Sequence, residues 1–193
     1  VAVADVPVAD VPVADVPVVD VPVAVCFFGL VKLHEKVKTS IQRHILDTLE
    51  KNGLNYHVYL HTYDLSEVTN ARNGEHKVSL DADAWKQLNP HFWSITDQSA
   101  FDRTIRLGDY LSRGDAWTDN PDVSLMNHLR ALHSQKLVTK LWTGTKHEYR
   151  CVIYLRPDLV YDDPLDMQAV EGVMGTPSGR PVVYTPDWQS HGG

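Results

Sequence analysis

The residues best placed to do chemistry in this chain follow its apolar runs. Gly29 ends the first run, His61 and Thr62 end the second, and Asp158 follows the run that closes at Leu155. If the runs are parallel strands of one open sheet, these residues share the edge beyond the carboxyl ends of the strands, where such sheets bind ligands. The sequence therefore predicts a ligand site at that edge.

Asp158 allows two interpretations. A carboxylate that leaves a buried strand suits a hard divalent cation, which takes oxygen ligands and often shares them with a phosphate. Alternatively, Asp158 caps the turn that leads into Asp162-Asp163-Pro164. Spacing alone does not separate a metal ligand from a turn residue.

Several familiar motifs are missing from the sequence. It contains neither the glycine fingerprint of dinucleotide-binding folds nor the P-loop consensus. His57 and His61 stand on a predicted strand without a His-Glu-x-x-His pattern, which favours one buried and one edge histidine over a zinc site. Ser190 lies outside a Gly-x-Ser-x-Gly elbow, so the sequence does not support a hydrolase.

The elements that must position these residues form an α/β pattern. Residues 23–28 are a continuous apolar run closed by Gly29, as in a strand buried on both faces. Apolar residues then recur at helical spacing from Val37 to Leu49, and a second strand is predicted over 56–61. Strand, helix and strand make one right-handed βαβ unit with parallel strands. We expect a Rossmann-like, mainly parallel sheet flanked by helices.

The rest of the chain gives weaker signals. Residues 62–122 carry turn signals such as Asn89-Pro90 among short apolar pieces, which predicts a long insertion of the kind that grips ligands. Ser124 is predicted to cap a helix that runs to about Trp142, with Lys136 among its polar positions. Further strands are predicted over 149–155 and 181–184.

Composition restricts the class of protein. The 193 residues carry 18 Lys and Arg against 25 Asp and Glu, which argues against a nucleic-acid groove because such a groove needs clustered cations. No run is long and apolar enough for a membrane span. Cys26 and Cys151 each lie in an apolar run, which predicts buried free thiols and favours the cytoplasm or another reducing compartment.

Residues 1–22 form a low-complexity tail that repeats Val-Ala-Asp-Val-Pro. A proline in every repeat prevents a continuous helix, so we expect an extended, disordered tail that precedes a domain over 23–193. Such a tail acts as a spacer, as a sticky segment for a protein partner, or has no specific role.

Six sequence blocks, in this order, resemble a family classed as glycosyltransferases, mostly uncharacterised, from large DNA viruses, algae and other microbes. The blocks are Val-Cys-Phe-Phe-Gly (25–29), Leu-His-Thr-Tyr (60–63), Asn-x-Arg-x-Gly-Glu (70–75), Leu-His-Ser-x-Lys-x-Val-Thr-x-Leu-Trp (132–142), Ile-Tyr-Leu-Arg-Pro-Asp (153–158) and Tyr-x-Pro-Asp-Trp-x-Ser-x-Gly-Gly (184–193). The resemblance covers about residues 23–193 and none of the tail.

The resemblance implies a GT-A-like fold that binds a nucleotide-sugar, usually with Mn²⁺ or Mg²⁺ on an Asp-x-Asp at a strand end. Arg156-Pro157-Asp158 takes that place here, with Arg where the first Asp would stand. A metal would then rest on Asp158, or Arg156 would neutralise the diphosphate directly through paired hydrogen bonds.

The resemblance also implies roles for further residues. Gly29, His61, Thr62 and Lys136 are expected near the nucleotide and its phosphates. Asp187 and His191 are expected toward the sugar and the acceptor, where one of them would serve as base in an inverting reaction. In the family the Gly-Gly is followed by an Asn-Asp-Arg stretch that this sequence does not reach, so we expect the domain to be incomplete at its C-terminus.

The function predicted from the sequence is therefore transfer of a sugar from a nucleotide-sugar donor to a glycan or protein acceptor. Two alternatives stay open. One is a non-catalytic module that binds a nucleotide-sugar or glycan, and the other is a structural or assembly subunit that docks through its tail.

Overall fold

The computed structural model describes residues 23–70, 74–111, 121–176 and 182–184. The strands, in chain order, are β1 (Val23–Phe28), β2 (Tyr56–Asp64), β3 (Glu67–Asn70), β4 (Glu75–Ser79), β5 (Phe92–Asp97) and β6 (Cys151–Leu155). The α-helices are α1 (Glu35–Ile41), α2 (Asp47–Lys51), α3 (Gln98–Asp102), α4 (Gly108–Leu111), α5 (Pro121–Thr143) and α6 (Met167–Met174). A π-helical turn (Gln42–Leu46) joins α1 to α2, and a 3₁₀ helix (Ala84–Leu88) precedes β5.

A parallel sheet with the order β5-β2-β1-β6 is the centre of the fold. Strand β1 is the inner strand that joins the two halves, with Val25 opposite Val58 of β2 and Ile153 of β6. The predicted α/β class and the parallel βαβ unit are confirmed, and the architecture is Rossmann-like in general. Strands β3 and β4 form a separate antiparallel hairpin.

Helices cover both faces of the sheet because β1 is apolar on both. Val23, Val25 and Phe27 face one core, which includes Ile41 of α1 and Val170 of α6. The alternate residues Ala24 and Cys26 face the other core, where Val138 of α5 packs. This alternation explains why β1 reads as an uninterrupted apolar run.

Several elements differ from their prediction. Strand β2 continues to Asp64, so His61 lies inside it, and β5 was not predicted at all. Helix α5 begins three residues before Ser124, at Pro121, because proline is well suited to a first helical position. Residues 182–184 are not in a strand, and Val183 is 81% exposed, so it lacks the packing that would hold a strand.

The two cysteines are buried and free, as predicted, and burial raises the pKa of each thiol. Among the described helices, none is long and apolar enough to cross a membrane. The predicted tail over 1–22 lies outside the described residues.

Candidate ligand-binding site

The strand order determines where a ligand would meet the sheet. From β1 the chain moves outward to β2 and β5, and then returns to place β6 on the other side of β1. The connections therefore diverge between β1 and β6, and the crevice beyond the carboxyl ends of two such strands is where open α/β sheets bind ligands.

A cleft of about 490 Å³ opens at this edge, between the strand ends, the β3–β4 hairpin and the start of α5. Its volume falls within the range of roughly 300–1,000 Å³ that small-molecule sites occupy. The residues that line it come from every strand end and from α5: Gly29, Leu30, Lys32, Tyr63, Leu65, Glu67, Val68, Thr69, Gln98, Val123, Ser124, Asn127, Arg130, Ala131, Arg156 and Asp158.

Gly29 forms the turn that leaves β1 at the edge of the cleft. Its φ of +102° is a conformation that residues with a Cβ rarely adopt. A Cβ built at this position meets no atom within 4 Å, so the backbone is open to close approach. A glycine turn of this kind lets a ligand approach the backbone closely.

Arg156 and Asp158 face each other at the end of β6. Arg156 donates from Nε to Asp158 Oδ1 at 2.8 Å and from Nη2 to Oδ2 at 2.6 Å, a bidentate pair. This hydrogen bond is the main cause of the raised pKa of Arg156. Tyr161 fixes the backbone of Arg156, because its hydroxyl accepts from the Arg156 N–H and donates to the Arg156 carbonyl.

Two further cations line the cleft, and each is held by a carboxylate. Arg130 of α5 makes a bidentate pair with Asp102 at 2.7 and 2.9 Å and donates to Asn127 Oδ1 at 2.8 Å. Lys32, in the loop after β1, lies 2.7 Å from Glu75 of β4 and so ties the hairpin to that loop. Lys32, Arg130 and Arg156, the cations that line the cleft among the described residues, are therefore already neutralised in part by the protein itself.

The predicted site residues divide into three groups. Gly29, Arg156 and Asp158 come together in the cleft. His61 and Thr62 lie beneath it, 0% and 3% exposed, and Lys136 is exposed on α5, so none of these three lines the cleft as described. Asp187 and His191 lie outside the described residues.

Sequence reasoning missed Arg130, Lys32 and Tyr161. Arg130 stands in the predicted helix as one polar residue among several, and only the packing of that helix on the sheet turns it toward the cleft. Lys32 stands three residues after Gly29, and that position at the strand end was a usable signal.

The described side chains engage Asp158 in a way that competes with the divalent cation predicted there. Both carboxylate oxygens of Asp158 accept from Arg156. Within the described ranges, no three His, Cys, Asp or Glu side chains form a group that could hold a metal ion. A divalent cation at Asp158 stays a prediction, and the paired cations suit an anionic ligand better.

A second cluster lies at the opposite, amino edge of the sheet. It consists of His57, His91, His147, Tyr59 and Tyr149, which we call the amino-edge cluster. The His57 ring lies 5.0 Å from that of His91 and 4.5 Å from that of His147, centroid to centroid. Tyr149 Oη is 2.7 Å from His57 Nδ1 and 2.5 Å from Tyr59 Oη. Burial, and then the charges of His91 and His147, lower the pKa of His57 to about 4.

Comparisons with known proteins gave no relative: no family model matches the chain, and no curated protein or solved structure matches it.

Proposed function

We propose that the domain binds the diphosphate group of a nucleotide-sugar in the carboxyl-edge cleft and transfers the sugar to an acceptor. The observation that carries the proposal is the position of the Gly29 turn and Arg156, which face one cleft from β1 and β6, where the strand order reverses. The resemblance of six sequence blocks to glycosyltransferases supports the same conclusion.

The cleft offers guanidinium groups for the diphosphate. Arg156 uses Nε and Nη2 to hold Asp158, and its side chain is 42% exposed and lines the cleft. Arg130 and Lys32 bring further positive charge to the same space. A diphosphate carries more charge than one carboxylate, so it competes well for these donors.

The transfer step requires these positive charges when the nucleoside diphosphate leaves the sugar. The acceptor oxygen forms a bond to the anomeric carbon while the bond from that carbon to the β-phosphate oxygen breaks. The electron pair stays on the nucleoside diphosphate, whose added negative charge Arg156 and Arg130 stabilise. The acceptor's proton goes to a base, for which Asp187 and His191 are the predicted candidates.

Calorimetric titration tests the binding half of this proposal. Nucleoside diphosphates, nucleotide-sugars and inorganic diphosphate are titrated into the chain with Mn²⁺ and with a chelator. We expect one nucleoside diphosphate to bind, and Arg156→Gln to weaken it at least tenfold. Arg150→Gln is the matched control, since Arg150 donates to the Met174 carbonyl and does not line the cleft.

Asp158→Asn separates the two roles of Asp158. If Asp158 only neutralises Arg156, the variant binds the diphosphate as tightly as the native chain or more tightly, with or without Mn²⁺. If Asp158 is a metal ligand, the variant loses a Mn²⁺-dependent part of the affinity.

Release of the nucleoside diphosphate from the bound nucleotide-sugar tests the catalytic half. Release with transfer to an acceptor supports the transferase. Binding without release supports the non-catalytic module, and no binding by the folded domain supports an assembly role.

A further inference from the structure

The backbone of the Gly29 turn is fixed by a hydrogen bond to one buried hydroxyl. The Gly29 N–H donates to Ser134 Oγ of α5 at 2.7 Å, and Ser134 is 0% exposed. Helix α5 is far from Gly29 in sequence, so this contact fixes the turn against the opposite layer of the fold. Ser134 does not line the cleft itself.

His61 completes the hydrogen bonds of Ser134. Ser134 Oγ donates to the His61 carbonyl at 3.1 Å and lies 2.7 Å from His61 Nδ1. A hydroxyl has one proton and two acceptor positions, so with that proton donated to the His61 carbonyl, Nδ1 is the protonated nitrogen and donates to Ser134. His61 Nε2 then accepts from Thr96 Oγ1 of β5 at 2.9 Å.

The hydroxyl of Ser134 is thus fully used. It donates once and accepts twice, and its partners are Gly29, in the turn after β1, and His61 of β2. His61 is 0% exposed, and burial, with the charge of His133 as a second cause, lowers the pKa of His61 to about 3. The imidazole therefore stays neutral near neutral pH.

Thr62 anchors the next part of the same loop. Its Oγ1 accepts from the Val31 N–H at 3.3 Å. Two buried hydroxyls, from α5 and β2, therefore hold the alternate amides of Gly29 and Val31. Of the three residues in this stretch, Gly29 and Leu30 line the cleft, and Val31 is buried.

We propose that Ser134, oriented by His61, is a positioning residue that presets the Gly29 turn for the phosphate groups of the ligand. Thr62 supports the same turn at Val31. The inference rests on the proposed function for the identity of the ligand. It assigns His61 and Thr62 to the site through the loop that they hold, rather than through contact with the ligand.

The Ser134→Ala variant tests, in the absence of ligand, whether the Ser134 hydroxyl fixes the Gly29 turn. Amide hydrogen exchange measured by NMR should show the Gly29 amide exchanging at least tenfold faster in the variant. Thr139→Val is the control, because Thr139 lies on the same helix and its hydroxyl bonds Gln135 and Tyr154 instead. Unchanged protection of Gly29 in a folded Ser134→Ala variant overturns the inference.

Ligand affinity tests whether the Ser134–Gly29 hydrogen bond contributes to binding. With the diphosphate that the native chain binds, we expect Ser134→Ala to lose about tenfold in affinity, Thr62→Val to lose less, and Thr139→Val to be unchanged. Ser134→Thr, which keeps the hydroxyl, should restore both the protection and the affinity.

The two failures are distinguishable. If the native chain binds the diphosphate and Ser134→Ala binds it equally well, the positioning role is wrong while the proposed function stands. If the native chain binds no nucleoside diphosphate, the proposed function fails, and the positioning role for that ligand fails with it.

Discussion

At the carboxyl edge of the sheet, ion pairs surround an open cleft, whereas at the amino edge histidine and tyrosine rings pack against one another. The cations of the cleft are part-exposed and paired one by one with carboxylates. In the amino-edge cluster, Tyr59 is 0% exposed and His57 is 4% exposed, and both bond the Tyr149 hydroxyl.

The difference indicates that the carboxyl edge of the sheet is suited to binding a ligand, whereas the amino edge is suited to stabilising the fold. A part-exposed ion pair contributes little to folding because water competes for both charges. It can therefore exchange its partner for a ligand at small cost to the fold. A buried hydrogen bond without a replacement partner costs more, so the amino-edge cluster suits a structural role.

Acid should produce the largest effect on stability. His57, His61 and His133 are buried, with pKa values lowered to about 4, 3 and 4, so each binds a proton more readily in the unfolded chain. The free energy of unfolding should then fall as pH decreases from 6.5 toward 4, by at most about 1.4 kcal/mol per pH unit for each histidine.

Urea unfolding at pH 7.0, 6.0 and 5.0 measures this dependence above the range in which ordinary carboxylates titrate. The variant His57→Phe should flatten the curve. A free energy of unfolding that is independent of pH over this range contradicts the buried, neutral state of these histidines.

Tyr149→Phe should have the next largest effect. It removes the hydroxyl that bonds His57 Nδ1 and Tyr59 Oη. Tyr59 still reaches Thr145 Oγ1 at 3.4 Å, so the cost falls mainly on His57, and a buried polar group left without its partner costs about 1–3 kcal/mol. Urea unfolding measures the loss, while the affinity for a nucleoside diphosphate at the other edge should not change. A large loss of affinity in this variant would contradict the conclusion that the two edges of the sheet act independently.

Arg130→Gln should have a smaller effect on stability and a clear effect on binding. Its pair with Asp102 joins α5 to α3 and is part-buried, so we expect a loss of about 1 kcal/mol. Because Arg130 lines the cleft, the affinity for the diphosphate should fall about tenfold. Asp102→Asn is the matched variant: it breaks the same pair but leaves the cation, and its affinity should not fall.

Glu75→Gln should have the smallest effect. Its ion pair with Lys32 is part-exposed and contributes about 0–1 kcal/mol to stability. Lys32 then lacks its carboxylate, so the affinity for an anionic ligand should stay the same or rise by a few fold. A loss of affinity in titration calorimetry indicates instead that the hairpin must be tied to the loop for binding.

The sequence predicts the sheet better than the site. Strands β1 and β6 both follow from apolar runs, and β1 is buried on both faces, which leaves no other pattern. Strand β5 is mixed in character, Phe-Trp-Ser-Ile-Thr-Asp, and its alternate residues are exposed, so only its pairing with β2 identifies it.

The site depends on contacts that spacing does not determine. The prediction that His61 meets the ligand assumed that β2 ends there, but three further residues pair with β5 and His61 is buried. The Arg130–Asp102 pair joins residues 28 apart whose meeting depends on how α5 docks. Gly29 and Arg156 were predictable because each follows directly from the end of a strand.

The location of the bound ligand is the most direct test of the central claim. Amide chemical shifts of the chain are recorded by NMR while a nucleoside diphosphate is added. The account predicts shifts at Gly29, Leu30, Arg156 and Asp158, with His57 and Tyr149 unchanged. Shifts confined to the amino edge, or none at a concentration of ligand far above its expected Kd, would contradict a phosphate site at the carboxyl edge of the sheet.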